Sequence, residues 1–289
     1  MSIIKTENLT YIYGQNTPME ASALRDVNIE VRPGEFVGVI GPTGSGKSTL
    51  VQQLNGLLRP TSGKVFIDGE DIWAKPKEIR KFRFKVGLVF QYPEYQLFEE
   101  TVRRDIAFGP KNMGLEESEI ERRVKEAAEL VGLPASDLDK SPFELSGGRK
   151  RRAAIAGVLA MRPQVLILDE PVAGLDPRGR DRILNLVRDY HRHEKNTVLI
   201  VSHSMEDIAK YAPKVLVMNR AELFMYDEVG KIFSRAEEME RIGLAVPQIT
   251  QICMELARRG YPIRPDTYTV DAAKQQIMAI LRERGDSRD

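Results

Sequence analysis

Residues 41–48 read Gly41-Pro42-Thr43-Gly44-Ser45-Gly46-Lys47-Ser48 and match G-x-x-x-x-G-K-[ST], the pattern of a loop that wraps nucleotide phosphates. An apolar run at residues 36–40 leads into this loop, and residues 49–54 follow it with helical character. Such a strand–loop–helix arrangement points backbone N–H groups and the positive end of a helix at one anion. We therefore expect Lys47 to reach the β- and γ-phosphates and the Ser48 hydroxyl to ligate Mg²⁺.

The composition of the chain excludes several classes of protein. The 289 residues carry 43 Lys and Arg against 42 Asp and Glu, so no general attraction to nucleic acid or to an anionic membrane is expected. The single cysteine, Cys253, excludes an internal disulfide and a zinc site built from several cysteines. Apolar runs such as residues 165–168 are too short to span a bilayer, and residues 1–7 lack the apolar segment of a signal peptide. We expect a cytoplasmic chain that would serve a membrane only from its side.

Polar side chains follow three of the predicted strands at the points where these strands end. Gln91, the pair Asp169 and Glu170, and His203 each come at or just after the end of a short apolar run. Strand patterns alternate with helical ones along the chain, which is typical of an α/β sheet. The carboxyl ends of parallel strands meet at one edge of such a sheet, so we expect these side chains to lie close together there.

Local patterns also predict single elements of structure. Residues 24–31 alternate apolar and polar side chains, which predicts a half-buried strand. Asp176 and Ser204 are each predicted to cap the start of a helix.

Three further patterns predict more specific features. Residues 118–121 predict a capping box at the start of a helix that continues to Val131. Four cations, residues 149–152, stand at a predicted helix start, which makes sense if an anion docks there or if nearby carboxylates offset the charge. Tyr13 lies between the first two predicted strands, where it either stacks on a base or is an ordinary loop aromatic.

The strand signals fade after residue 226. Apolar residues recur with helical spacing over residues 249–257 and 270–281, which predicts two amphipathic helices. Residues 285–289 are expected to fray. The carboxyl-terminal part is therefore predicted to be a helical extension of the sheet-bearing part.

Six elements now stand in order along the chain, and together they resemble the nucleotide-binding subunit of ATP-binding-cassette (ABC) proteins over residues 3–226. The elements are Tyr13, the loop 41–48, Gln91, Leu145-Ser146-Gly147-Gly148, Asp169-Glu170 and His203. The resemblance implies an α/β, P-loop (RecA-like) ABC ATPase core at residues 1–226, with an inserted helical subdomain at about 92–160. It also implies a carboxyl-terminal helical extension at 227–289 that serves dimerisation, and ATP and Mg²⁺ as cofactors.

The resemblance assigns a role to each matching residue. Tyr13 is similar to the aromatic that stacks on adenine, and Asp169 to the carboxylate that holds Mg²⁺ through water. Glu170 is similar to the general base that polarises the attacking water. Gln91 is similar to the glutamine that contacts Mg²⁺ and this water, and His203 to the histidine that contacts the γ-phosphate. The implied catalytic residues are Glu170, His203 and Gln91; the implied metal contacts are Ser48, Gln91 and Asp169; the implied cofactor contacts are Tyr13, Gly41, Pro42, Thr43, Gly44, Ser45, Gly46, Lys47, Ser48, Thr49, Ser146, Gly147 and Gly148.

Residues 145–148 resemble the ABC signature, in which the next residue is commonly glutamine, whereas this chain has Arg149. The serine hydroxyl and the glycine N–H donors are kept, so phosphate capture is expected to survive while the electrostatics of the site change. In the family this motif closes over the nucleotide of a second subunit, and Asp176 is similar to an aspartate at that interface. The resemblance therefore implies a pair of ATPase chains, either two copies of this chain or this chain with a relative.

Within the ABC family, residues 90–102 and 105–110 are similar to the ATPases of energy-coupling factor (ECF) transporters, and so is the tail at 242–247. This resemblance implies an ATPase that energises uptake of a vitamin or a metal ion. Its implied partners are a membrane-embedded transport subunit and a substrate-binding membrane subunit, at the cytoplasmic face of the membrane. The aromatic and leucine side chains of residues 92–98 cluster with a proline in a loop, which favours a partner surface over core.

Three other functions are alternatives to this one, and the sequence offers an argument against each of them. An ABC ATPase that acts on nucleic acid or the ribosome usually carries tandem cassettes, coiled-coil insertions or zinc modules, which this chain lacks, so no nucleic-acid partner is expected. A guanine-nucleotide switch needs an Asn-Lys-x-Asp motif, and residues 219–222 miss it. The ATPase of a conventional binding-protein-dependent importer shares every catalytic motif, so only residues 91–109 and the tail argue against it.

Overall fold

The computed structural model describes residues 2–285 of the chain. The strands are β1 (Ile4–Tyr13), β2 (Ala21–Val27), β3 (Glu30–Val31), β4 (Phe36–Ile40), β5 (Ser62–Ile67), β6 (Glu70–Asp71), β7 (Val86–Val89), β8 (Val165–Asp169), β9 (Thr197–Val201), β10 (Lys214–Asn219) and β11 (Glu222–Glu228). The helices are α1 (Lys47–Leu54), α2 (Ile79–Lys85), α3 (Val102–Asn112), α4 (Glu117–Leu130), α5 (Gly147–Leu159), α6 (Pro177–Glu194), α7 (Met205–Tyr211), α8 (Val229–Phe233), α9 (Ala236–Arg241), α10 (Gln248–Arg258) and α11 (Val270–Gly285). Of the residues predicted to fray, 286–289 lie outside the described residues.

A six-stranded sheet forms the centre of the molecule, in the order β11-β10-β4-β9-β8-β7. Neighbouring strands from β10 to β7 run parallel, and β11 alone pairs antiparallel to its neighbour β10. Every residue of β4, β8 and β9 is buried, as expected for apolar strands of a sheet that is covered on both faces. The predicted α/β fold class is confirmed.

Parallel pairing brings the carboxyl ends of four strands to one edge of this sheet. The phosphate loop follows β4, Gln91 lies two residues after β7, Asp169 ends β8, and His203 lies two residues after β9. The predicted clustering of these polar groups thus follows directly from the strand direction.

A second, antiparallel sheet has the order β2-β1-β5-β6, with β3 paired to β1. Its apolar face shares one core with α1 and one face of the central sheet, as Leu9, Val39 and Leu50 show. The helices α3 to α7 cover the other face and form a larger core with α8 and α9. Because β1 ends at Tyr13, the antiparallel sheet places this aromatic beside the phosphate loop.

Two helix starts confirm their predictions and one does not. The Asp176 side chain accepts a hydrogen bond from the Gly179 N–H at the start of α6, and the Ser204 hydroxyl accepts one from the Asp207 N–H at the start of α7. The capping box predicted at Ser118 is wrong, because α4 begins at Glu117 and places Ser118 inside the helix. The predicted strand over residues 24–31 is also divided, since β2 and β3 form separate pairs with β1.

The helices α10 and α11 form a small core of their own around Cys253 and Ala273. Their outer surface leaves Ile252, Val270 and Leu281 at least half exposed. Within residues 2–285, no helix has the length and apolar character that crossing a membrane requires.

Close packing between β4 and α7 depends on Gly38. A Cβ atom added there would lie 2.8 Å from Ile208 Cδ1 and 3.2 Å from Ala212 Cβ. We expect Gly38→Val to lower the free energy of unfolding by about 1–3 kcal/mol through overpacking, measured by urea denaturation. The double variant Gly38→Val/Ile208→Ala should lose less than the sum of the two single variants, and strict additivity would contradict this packing.

Candidate nucleotide-binding site

The backbone of the phosphate loop takes conformations that only glycine adopts without strain. Gly46 has φ +99°, and a Cβ there would come within 2.3 Å of the Ala23 carbonyl oxygen. At Gly41 a Cβ would meet the Met218 carbonyl oxygen, also at 2.3 Å. These glycines let the loop wind tightly against β2 and β10, and successive N–H groups in such a tight loop can face an anion.

Lys47 is 6% exposed and folds back over its own loop. Its ammonium donates hydrogen bonds to the carbonyl oxygens of Gly41 (2.7 Å) and Pro42 (2.9 Å). Burial lowers the pKa of Lys47, and the charges of Glu170 and Asp169 oppose that shift. The loop therefore carries a compact positive charge at the place where the β- and γ-phosphates are expected.

The residues at the end of β8 and the start of α1 offer hard oxygen ligands for a cation. Burial raises the pKa of Asp169, and a hydrogen bond from Ser48 opposes this shift. The Ser45 hydroxyl of the same loop is also buried, and it has no hydrogen-bond partner among residues 2–285. A buried carboxylate next to a serine hydroxyl matches the oxygen preference of Mg²⁺, so these residues fit the metal.

Glu170 makes the densest set of polar contacts at this edge. Gln91 Nε2 donates a hydrogen bond to Glu170 Oε2 at 3.1 Å, and His203 Nε2 lies 2.7 Å from Glu170 Oε1. The Glu170 backbone is left-handed, with φ +49°, and its N–H bonds to the Val201 carbonyl at 3.1 Å. A non-glycine residue in this conformation costs energy and is typical of functional sites.

These groups surround a cavity of about 340 Å³. The cavity is lined by Tyr13, by residues 21–23 and 43–49, by Glu170 and by His203. Tyr13 is 42% exposed where it lines the cavity, and its hydroxyl lies 3.3 Å from Thr49 Oγ1. The structure thus brings together the predicted phosphate, base and catalytic residues, with Gln91 joined to them through Glu170. Residues 21–23 of β2 were not predicted, because they line the cavity without carrying any motif.

The signature residues lie elsewhere within the chain. Ser146 and Gly148 line a separate cavity of about 280 Å³, together with Arg149, Arg152 and Arg182. Both Ser146 and the first residues of α5 are exposed. A single chain therefore does not join this motif to its own phosphate loop.

Carboxylates offset part of the positive charge at the start of α5, which is one of the two alternatives that the sequence left open. Arg149 Nη1 lies 3.0 Å from Asp137 Oδ2, and Arg151 pairs with Glu94. Burial lowers the pKa of Arg152, and the nearby charges of Arg182 and Arg149 lower it further. These pairings could not be predicted, because each carboxylate lies outside the local sequence of the helix.

Comparison with known families and relatives agrees with this geometry. The family model described as "ABC transporter" matches residues 24–173. The energy-coupling factor transporter ATP-binding protein EcfA2 of Caldanaerobacter subterraneus subsp. tengcongensis is 56% identical over 279 residues, which cover 96% of this chain and 98% of that protein. The EcfA2 protein of Clostridioides difficile is 53% identical over 287 residues, covering 99% of each.

Solved structures show the same fold. CbiO1 of Clostridium perfringens, described as part of the ABC transporter complex cbiONQ, superposes with a TM-score of 0.74 and 37% identity, covering 90% of this chain and 97% of that one. A dimeric ATP-binding cassette in a post-hydrolysis state with ADP and Pi superposes with a TM-score of 0.70 and 28% identity, covering 78% of this chain and 98% of that one. By its motifs, its fold and these relatives, the chain belongs to the ABC transporter family, among the ATP-binding proteins of energy-coupling factor transporters.

Proposed function

We propose that this ATPase binds Mg·ATP in the cavity beside the phosphate loop and hydrolyses it to energise uptake of a vitamin or a metal ion. The polar contacts of Glu170 carry the proposal, because Gln91 and His203 hold this carboxylate in the lining of the cavity. Substrate choice would lie in a separate membrane protein, as in the ECF resemblance. The relatives match nearly the full length of this chain.

Hydrolysis needs orientation and charge neutralisation more than covalent chemistry. The loop N–H groups and Lys47 would bind the β- and γ-phosphates, displacing the two carbonyl contacts of the ammonium. Ser48 and Asp169 would hold Mg²⁺, which when bound supplies charge neutralisation. Glu170 would accept a proton from the attacking water, with Gln91 orienting this water and His203 contacting the γ-phosphate.

Two chains would share each site. The signature cavity lies apart from the phosphate loop, and its exposed helix start and arginines suit a phosphate supplied by another chain. The helix α5 begins at Gly147, and the N–H groups at the start of a helix can bind an anion. We also propose that the chain consists of an ATPase domain at residues 1–226, with a helical subdomain at about 92–160, and a dimerising extension at 227–289. The exposed apolar residues of α10 and α11 would pack the extensions of two chains against each other.

An apolar groove would receive the membrane-embedded subunit and hold the chain at the cytoplasmic face of the membrane. The groove has a volume of about 450 Å³ and is lined by Leu97, Phe98, Phe108 and residues from α2 and α5. Phe98 is 61% exposed and packs edge-on against Phe108, with ring centroids 5.0 Å apart. Tyr95 does not line the groove but stands beside it with 84% of its surface exposed, as a partner-facing residue would.

Lys47→Ala should weaken ATP binding to the isolated chain at least about tenfold, because hydrogen bonds to charged groups contribute about 1.5–3 kcal/mol. Ser146→Ala is the matched control, since its side chain lies in the other cavity and should leave this binding unchanged. Fluorescent-nucleotide titration of the isolated chain measures both. An equal loss in Ser146→Ala would contradict the shared-site geometry.

Glu170→Gln should keep ATP binding and lower phosphate release by about 10²–10⁴-fold, the usual contribution of a general base. Removing the negative charge near the γ-phosphate should also stabilise an ATP-loaded dimer. Phosphate-release kinetics and size-exclusion chromatography with ATP and Mg²⁺ measure the two effects. Glu206→Gln, an exposed carboxylate near His203, serves as the control, and normal release by Glu170→Gln would end the assignment.

Tyr95→Ser/Phe98→Ser should release the membrane subunit or lower uptake at least about tenfold, since exposed aromatics often carry most of a binding interface. ATP binding should stay unchanged, because neither residue lines the nucleotide cavity. Pull-down of the membrane subunit and transport assays measure the effect. Phe224→Ser, an exposed aromatic on β11, is the control. Normal partner binding and transport by the double variant would show that the groove is not the docking site.

A further inference from the structure

Arg151 is the most deeply buried of the four cations at the start of α5. Its side chain is 3% exposed, whereas that of Arg149 is 44% exposed. A guanidinium cannot lose its charge at any ordinary pH, so burying it requires partners for its donors. Arg151 does not line the nucleotide cavity, but it lines the signature cavity together with Ser146. The catalytic roles proposed above for Glu170, Gln91 and His203 do not use it.

The partners of Arg151 belong to two segments that are far apart in sequence. Its Nε and Nη2 atoms donate hydrogen bonds of 2.8 and 2.6 Å to the Glu94 carboxylate, which makes this ion pair bidentate. Its Nη1 atom donates to the carbonyl oxygens of Pro171 (3.3 Å) and Ala173 (2.7 Å). All three guanidinium nitrogens therefore donate hydrogen bonds, and Nη1 donates to two acceptors.

Both segments lead directly to the reacting groups. Glu94 lies three residues after Gln91, in the short 3₁₀ turn Pro93–Gln96, and Pro171 directly follows Glu170. The Arg151 guanidinium also lies over the ring of Tyr92, at 5.9 Å from its centroid. One side chain on the signature helix thus joins the segment after Gln91 to the segment after Glu170.

The pair with Glu94 is tight. Burial raises the pKa of Glu94, but the hydrogen bonding and charge of Arg151, together with a backbone hydrogen bond, outweigh burial and hold this pKa below its usual value. A bidentate arginine–carboxylate contact fixes orientation as well as distance, which a lysine cannot reproduce.

We propose that Arg151 is a positioning residue, which locks the Gln91 and Glu170 segments to each other and to the helix that begins at the signature. The proposal rests on the catalytic roles proposed above for Glu170 and Gln91. The 3.1 Å contact between these two side chains depends on how their segments are held. A movement of α5 would be transmitted to both segments through the guanidinium. The signature motif, which contributes to one shared site, and Glu170, which acts in the other, would therefore move together.

Glu94→Gln tests this role in the full-length chain, purified with the subunits expressed alongside it. The amide keeps the size of the side chain but removes the charge, so the guanidinium no longer holds the turn in one orientation. We expect kcat for ATP hydrolysis to fall about tenfold, as small misplacements of catalytic groups do, while KM for ATP stays close to the unaltered value. Glu94→Asp, which keeps the charge, should recover part of the loss, and Arg151→Lys should behave like Glu94→Gln.

Glu119→Gln is the matched control, because Glu119 pairs with Arg123, which also donates to two backbone carbonyls. Glu119→Gln should lower Tm less than Glu94→Gln, because its ion pair is more exposed, and only Glu94→Gln should lower kcat. The inference is overturned if kcat of Glu94→Gln stays near the unaltered value, or if Glu119→Gln loses as much. Glu170→Gln, measured in parallel, separates the two proposals: normal hydrolysis by that variant overturns the catalytic assignment itself and this inference with it.

Should Glu94→Gln fail to fold, Glu94→Asp and Arg151→Lys carry the test. Each keeps a charge at its position and differs from the unaltered chain mainly in reach. A fall in kcat at unchanged KM and similar Tm supports positioning, and unchanged kcat in both variants overturns it.

Discussion

Hydrogen bonding between parallel strands determines where the polar groups of the site lie. Val39 of β4 and Asp169 of β8 both pair with Val201 of β9, so the three strands reach the edge of the sheet in one row. The Glu170 N–H continues this row by bonding to the Val201 carbonyl. A shift of one residue in any of these strands would move its end by about 3.3 Å and turn its side chains to the opposite face. The paired, buried strands therefore determine where the phosphate loop, the carboxylates and the histidine segment lie.

Ion pairs link this edge to the surrounding helices. Arg180 of α6 contacts Asp207 of α7 at 2.6 Å, which joins the helix after Asp176 to the helix after His203. Arg151 joins α5 to the Glu94 turn in the same way, but as a buried pair. Breaking such a buried pair costs about 3–5 kcal/mol because one charge is left alone, whereas exposed pairs contribute little. These ion pairs connect the helices that carry the predicted interface motifs to the catalytic edge. Separating the charges of the buried Arg151–Glu94 pair costs the most free energy.

The sequence predicted the parts of the site that depend on local pattern. The phosphate loop, the polar strand ends and the caps at Asp176 and Ser204 each follow from a few neighbouring residues. The cap at Ser118 was wrong because the chain already turns into α4 at Glu117, and no local residue signals where that turn starts. The pair between Glu94 and Arg151 was missed because it joins positions 57 residues apart. Its geometry depends on tertiary packing, which single-sequence periodicity does not contain.

The internal hydrogen bonds of Lys47 have a consequence for which anions the loop accepts. Its ammonium already has two carbonyl acceptors in the free chain, so an incoming ligand must offer more than these neutral oxygens do. Charge-assisted hydrogen bonds are roughly twice as strong as neutral ones. A densely charged polyphosphate would therefore replace the two carbonyl oxygens more favourably than a weakly charged anion would. The folded-back lysine therefore acts as a filter on charge density.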